Sequence, residues 1–126
     1  MLKVLIIDDS KVMRRLLQSA VGEAAGRPCE FVEAADGELA LEELEKRSWA
    51  FDIVFCDLIM PNLDGLGFLG QVESRGKAGF APVVMVTGDA AEDQAKQALQ
   101  RGAKELVGKP FSASSLREIL ARLLPV

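Results

Sequence analysis

The 126 residues contain no histidine and no tyrosine, only two cysteines, one tryptophan and five prolines. Without an imidazole, zinc sites and histidine base chemistry are all but excluded. Cys29 and Cys56 each sit inside an apolar, strand-like segment, which predicts two buried thiols in place of a disulfide or a metal pair. Basic runs are also missing: 15 Lys and Arg stand against 19 Asp and Glu, for a formal charge of −4. Binding to nucleic acid needs clustered cations, so no direct nucleic-acid partner is expected. No apolar run approaches the length of a membrane span, and Met1 is followed within two residues by the strand-like KVLII where a secretory leader would differ, so a soluble, cytoplasmic protein without membrane insertion is expected. What is present is a hydrophobic share of 49%, sufficient for one sizeable core and one domain over 1–126.

Strand-like and helix-like segments alternate along the chain without a long linker or a repeat, the pattern of an α/β domain. KVLII (3–7) reads as the first strand. The next segment reads as a helix capped by Ser10, with Met13, Leu16, Leu17, Ala20 and Val21 along one face. CEFVEA (29–34) is the second strand, followed after Asp36-Gly37 by a helix that buries Ala40, Leu41 and Leu44. Residues 51–56 form the third strand, and Asp64 caps a helix carrying Leu66, Leu69 and Val72. Gly67 and Gly70 weaken that helix by roughly 1 kcal/mol each, which predicts a short or irregular element. APVVMVT (81–87) is an uncharged fourth strand, 90–101 a helix ended by Gly102, and KELVG (104–108) a fifth strand. Ser112 caps a last helix with Leu116, Ile119, Leu120 and Leu123 at helical spacing. Five βα units follow, with helices on both faces of a parallel sheet and ligands expected beyond the carboxyl ends of its strands.

The residues at those ends are chemically distinctive. The stretch FDIVFCDLIMPNLDGL runs apolar into Asp57, and a carboxylate ending a buried strand must be solvated, paired or used. The first strand ends on Asp8 and Asp9, the fourth on Thr87 and Asp89, and the fifth leads into Lys109-Pro110. Adjacent parallel strands lie about 5 Å apart, so Asp8 or Asp9 can approach Asp57 if the first and third strands are neighbours. Converging carboxylates repel unless a cation joins them, and a hard-oxygen cluster with room for water suits Mg²⁺. Lys109 and the Thr87 hydroxyl fit an anion arriving at that metal, with a phosphoryl group the obvious candidate.

The motifs LIIDDSKVMRRLL, DLIMPNLDGL, VVMVTGD and GAKELVGKPF, in this order and spacing, resemble the receiver domains of two-component response regulators, especially the small CheY-like proteins of chemotaxis. The resemblance spans essentially the whole chain. It implies a doubly wound, flavodoxin-like five-stranded parallel sheet in strand order 2-1-3-4-5 with five helices. It also implies that Asp57 accepts a phosphoryl group from a sensor histidine kinase or phosphotransfer protein. Asp8, Asp9 and Asp57 would hold Mg²⁺ together with the backbone carbonyl of Ile59, while Thr87 and Lys109 would grip the phosphoryl oxygens. A cis Lys109-Pro110 bond is implied too. The expected activity is that of a signalling switch, which catalyses only its own phosphorylation and dephosphorylation and presents a downstream protein with a face made of the fourth helix, fifth strand and fifth helix.

One departure from the family pattern stands out. Where the family often carries an inward-rotating aromatic three residues before the lysine, this chain has Leu106. Ile59 and Asp89 occupy the positions that flank the approach of water to the phosphoryl group. Two alternatives accompany the main expectation: a receiver fragment of a larger regulator, and a pseudo-receiver serving as a constitutive interaction module. The intact set of Asp8, Asp9, Asp57, Thr87 and Lys109 favours the active switch.

Overall fold

Predominantly apolar segments form the middle of the sheet. In the computed structural model, which describes residues 1–88 and 92–124, β3 (Ile53–Asp57) is buried at all five positions and β4 (Val83–Thr87) at all but its last. Strands covered by helices on both faces require this. With β1 (Leu2–Ile7), β2 (Cys29–Ala34) and β5 (Glu105–Gly108) they build one parallel sheet in the expected order β2-β1-β3-β4-β5. The register pairs Ile7 with Cys56, Asp57 with Val86 and Thr87 with Gly108, which brings the carboxyl ends of β1, β3, β4 and β5 level.

The connecting helices are α1 (Lys11–Ala25), α2 (Gly37–Lys46), α3 (Gly65–Ser74), α4 (Glu92–Gln100) and α5 (Ala113–Leu123). Ser10, Asp36, Asp64 and Ser112 cap α1, α2, α3 and α5 by accepting the N–H groups of Met13, Leu39, Gly67 and Ser115. Each cap satisfies a donor that has no partner inside its helix. Alternation along the strands divides the core in two. Leu5, Ile7, Val54, Cys56, Val83 and Met85 face α2, α3 and α4. Val4, Ile6, Ile53, Phe55, Val84 and Val86 face α1 and α5.

Several expectations need correction. Leu16 is 53% exposed, because the buried stripe of α1 runs through Leu17, Val21 and Ala24 and leaves Leu16 about 100° to one side. Cys29 is half-buried at the start of the edge strand β2, whereas Cys56 is fully buried. The third strand begins at Ile53 and not at Phe51, since Ser48 and Trp49 adopt φ 56° and 60° and turn the chain before it. The fourth begins after Pro82, which has no N–H to give a ladder. α3 is a regular ten-residue helix: Gly67 leaves the space that the Leu63 side chain fills, and fully buried Phe68 adds an anchor beside Leu69 and Val72, while Leu66 is half-buried. The expected start of the fourth helix at residue 90 lies outside the described residues, as does Asp89.

Both sheet edges carry ion pairs. On β2, Glu33 meets Arg14 at 2.9 Å and Arg15 at 3.4 Å, and Glu30 meets Arg47 at 3.8 Å. On β5, Glu105 accepts two hydrogen bonds from Arg122 of α5, at 2.9 and 3.3 Å.

Candidate functional site

The parallel register brings four charged groups together at the carboxyl end of the sheet. Asp57 is the last residue of β3, and Asp8 and Asp9 follow β1 directly. One carboxylate oxygen from each of the three lies within 4.8 Å of the others, the only such acidic group among the described residues. Lys109, just past β5, places its Nζ 3.4 Å from Asp57 Oδ2 and 3.5 Å from Asp8 Oδ2. Asp8 is 3% and Asp57 8% exposed, whereas Asp9 faces solvent.

The two oxygens of Asp8 divide their work. Oδ1 accepts the Ser10 N–H at 2.9 Å and shapes the turn into α1, which leaves Oδ2 for Lys109 and the site. Thr87 ends β4, and the Lys109 N–H donates to its carbonyl at 2.8 Å, so the threonine and the lysine are held as a pair by the backbone. Lys109-Pro110 is cis, as the resemblance implied. Ile59, two residues past Asp57, is 59% exposed on the loop between β3 and α3. Gly65 closes that loop by donating to the Leu58 carbonyl at 2.9 Å, and a Cβ there would stand 2.7 Å from the Asp57 carbonyl. Only glycine permits this approach of α3 to the acceptor strand.

Burial pushes the Asp57 carboxyl above its ordinary range, the neighbouring Asp8 charge adds to the effect, and the Lys109 ammonium opposes it. Burial likewise raises the Cys56 thiol, helped by the Asp57 charge, so this fully buried side chain stays neutral next to the acceptor. Three carboxylates against one ammonium leave two negative charges uncompensated. Hard oxygen donors, a dianionic balance and one exposed member open to water fit a small divalent cation such as Mg²⁺.

Sequence reasoning passed over Arg14. Its Nη1 donates to the Asp8 carbonyl at 2.7 Å while Nε donates to Glu33 at 2.9 Å, so one half-buried side chain ties α1, β2 and the acidic loop together. A signal existed: Arg14 lies one turn beyond the cap Ser10, and helical side chains lean back toward the N-terminus.

Comparison with known proteins decides the family. The family model of the response regulator receiver domain matches residues 4–121. The chain belongs to the response regulator receiver family. The receiver is 33% identical over 122 residues to "Chemotaxis protein CheY-3" of Vibrio cholerae, covering 97% of this chain and 91% of the relative. It is 34% identical over 122 residues to "Chemotaxis protein CheY" of Pseudomonas aeruginosa, covering 97% and 95%. Among solved structures, Vibrio cholerae chemotaxis protein CheY4 superposes with a TM-score of 0.83 at 31% identity, over 98% of this chain and 99% of that one. A receiver domain protein from Clostridium thermocellum, at a TM-score of 0.84 and 24% identity over 98% and 94% of the two chains, shares the fold. Receivers of this family are signalling switches of two-component systems, working with a histidine kinase or phosphotransfer protein and with a downstream target. None of the described helices is long and apolar enough to cross a membrane.

Proposed function

We propose that this receiver, a single unit over 1–126, is an active phospho-acceptor. Asp57 receives a phosphoryl group from a sensor histidine kinase or phosphotransfer protein, and the modified state switches a partner-binding face. The observation that carries this reading is the convergence of three carboxylates and the Lys109 ammonium on one point at the sheet end. Asp8, Asp9, Asp57 and the Ile59 carbonyl would hold Mg²⁺, which when bound screens nucleophile and phosphoryl oxygens from each other.

Asp57 Oδ attacks phosphorus in line, forming a carboxyl–phosphate bond as the bond to the donor's leaving atom breaks. Lys109 supplies positive charge where phosphoryl oxygens gather, and the Thr87 hydroxyl donates to one of them. The neutral Cys56 adds no charge to the site. Because Lys109 already touches Asp57 and Asp8, arrival of the phosphoryl group gives its ammonium a stronger partner, and the β4 and β5 ends respond together through the Lys109-to-Thr87 hydrogen bond. Two residues below, Met85 pairs with Leu106, which is packed against the α2–α4 side of the core, and between them Val86 pairs with Val107 on the α5 side, so the change reaches α4, β5 and α5, the proposed output face. An aliphatic Leu106 transmits it by repacking without an aromatic flip. Catalysis is confined to the protein's own phosphorylation and dephosphorylation, the setting is cytoplasmic, and the relatives' names suggest chemotaxis.

Incubation with Mg²⁺ and acetyl phosphate should add one phosphoryl group, read by mass spectrometry, in wild type and none in Asp57→Ala. Labelling of Asp57→Ala, or no labelling of wild type by any donor or kinase, would identify a pseudo-receiver.

A further inference from the structure

The loop from Leu58 to Asp64 is tied down at a place remote in sequence. Asn62 adopts φ 65°, in the left-handed region that residues other than glycine seldom occupy. In that conformation its Nδ2 donates to Asp36 Oδ2 at 2.7 Å, 26 positions away in the chain. Asp36 is 6% exposed, and its other oxygen accepts the Leu39 N–H at 2.9 Å. Capping α2 therefore uses only Oδ1, and the second oxygen is committed to the loop. Beside it the Gly37 N–H donates to the Leu63 carbonyl at 3.0 Å, and a Cβ at Gly37 would stand 2.7 Å from that oxygen. Burial pushes the Asp36 carboxyl up, but hydrogen bonds from the Leu39 N–H, the Asn62 amide and the Glu38 N–H outweigh it and hold the group ionised.

A left-handed non-glycine residue persists where its surroundings over-determine it. A glycine at 62 would adopt the same backbone at less cost but could not reach Asp36. The loop is thus fixed at two points, by Asn62 and Leu63 on the N-terminus of α2 and by Gly65 on Leu58. Ile59 lies between these anchors.

We infer that Asp36 and Asn62 are positioning residues for phosphoryl transfer, their hydrogen bond making the N-terminus of α2 part of the frame that sets the Ile59 carbonyl against Asp57. The inference rests on the function proposed above, in which that carbonyl completes the metal site. It extends the working site by one strand–helix unit, to a pair that touches neither metal nor phosphoryl group.

A reciprocal exchange tests it. Asn62→Asp sets two carboxylates face to face and breaks the bond. Adding Asp36→Asn to it restores the bond with donor and acceptor reversed, because an amide at position 36 caps α2 through its oxygen and donates through its nitrogen, and Asn caps about as well as Asp. In the metal-free protein, amide exchange at Gly37 should speed up about tenfold in Asn62→Asp, as expected when a hydrogen bond to a charged group is lost, and return to the wild-type rate in the double variant. Mg²⁺ affinity by calorimetry and the maximal labelling rate at saturating acetyl phosphate should each fall about fivefold in Asn62→Asp and recover to within about twofold in the double variant. Faster exchange at Gly37 with unchanged Mg²⁺ affinity and labelling would reduce the pair to a structural tie and overturn the inference. So would a double variant that fails to recover. Wild type that neither binds Mg²⁺ nor accepts phosphoryl overturns the proposed function itself, and that failure appears before any variant is made.

Discussion

Helices α3 and α4 are neighbours on the same face of the sheet and nearly equal in length, ten and nine residues, yet they are anchored very differently. α3 buries Phe68, Leu69 and Val72, and its first residue lies against the Asp57 carbonyl. Among its described residues α4 buries only the methyl groups of Ala95 and Ala98. The half of the site formed by β1 and β3 is braced by a packed helix, the Arg14 ties and the Asp36–Asn62 bond. The half formed by β4 and β5 is joined to the acid cluster through Lys109 and stands beside a helix with little apolar area in the core. Local opening costs least where few apolar contacts are buried, so one half is suited to fix geometry and the other to change it.

The largest expected effect breaks the comparison outright if it fails. Phe68→Ala should cost about 3–5 kcal/mol in urea unfolding, whereas Ala98→Gly should cost about 1–2 kcal/mol. Equal losses would mean that α4 is held as firmly as α3. Hydrogen exchange sharpens the contrast: amides of α4 should exchange about tenfold or more faster than those of α3, and beryllofluoride with Mg²⁺ should slow α4 by the larger factor. Uniform protection across both helices would leave no soft half to switch.

A smaller effect concerns the braced half itself. The Asp57 carboxyl is raised by burial and by Asp8, against Lys109. Below its ordinary value of 3.8 the group is protonated in folded and unfolded chains alike and contributes nothing. As pH rises from there through the raised folded-state pKa, the unfolded chain gives up its proton first, stability falls, and it stays lower beyond. Asp57→Asn should therefore melt a few degrees above wild type at neutral pH without Mg²⁺, with the advantage vanishing near pH 3.5. An advantage that persists at acid pH would place its origin in packing instead of charge. The smallest effect tests the exposed apolar side chain on the fixed loop. Ile59 offers no hydrogen bond to a water approaching phosphorus, so Ile59→Asn should shorten the phospho-Asp57 lifetime about two- to fivefold, measured by phosphate release. An unchanged lifetime would show that Ile59 does not limit water.

The sequence made the frame of the site readable because each component punctuates an apolar run: Asp8 and Asp9 after LII, Asp57 after IVFC, Lys109 after ELVG. A parallel sheet converts such endings into neighbours, and the resemblance supplied the strand order. The bracing was less readable. Arg14 to Asp8 follows from the lean of side chains in the first turn of α1, but Asn62 to Asp36 is a side-chain contact between segments whose mutual placement has no periodicity in the chain. Leu16 misled for a related reason: a helix pattern containing more apolar residues than its stripe can hold does not say which one faces water, and the packing of Leu17 and Val21 decides it. Cys29 was misplaced because an edge strand has the composition of a central one but only one neighbour.

The ion pairs along the sheet margins bear on how the molecule behaves as a solute. A parallel sheet has two free edges, and each is a template on which a second copy could lay a strand and begin a fibril. Here the β2 edge is fenced by Glu30 and Glu33 with Arg47, Arg14 and Arg15, and the four-residue β5 edge by Glu105 with Arg122. An incoming strand would have to displace these pairs and strip their water, a cost that backbone hydrogen bonding along so short a margin does not recover. With a net charge of −4 adding mutual repulsion, the chain is protected against edge-to-edge aggregation.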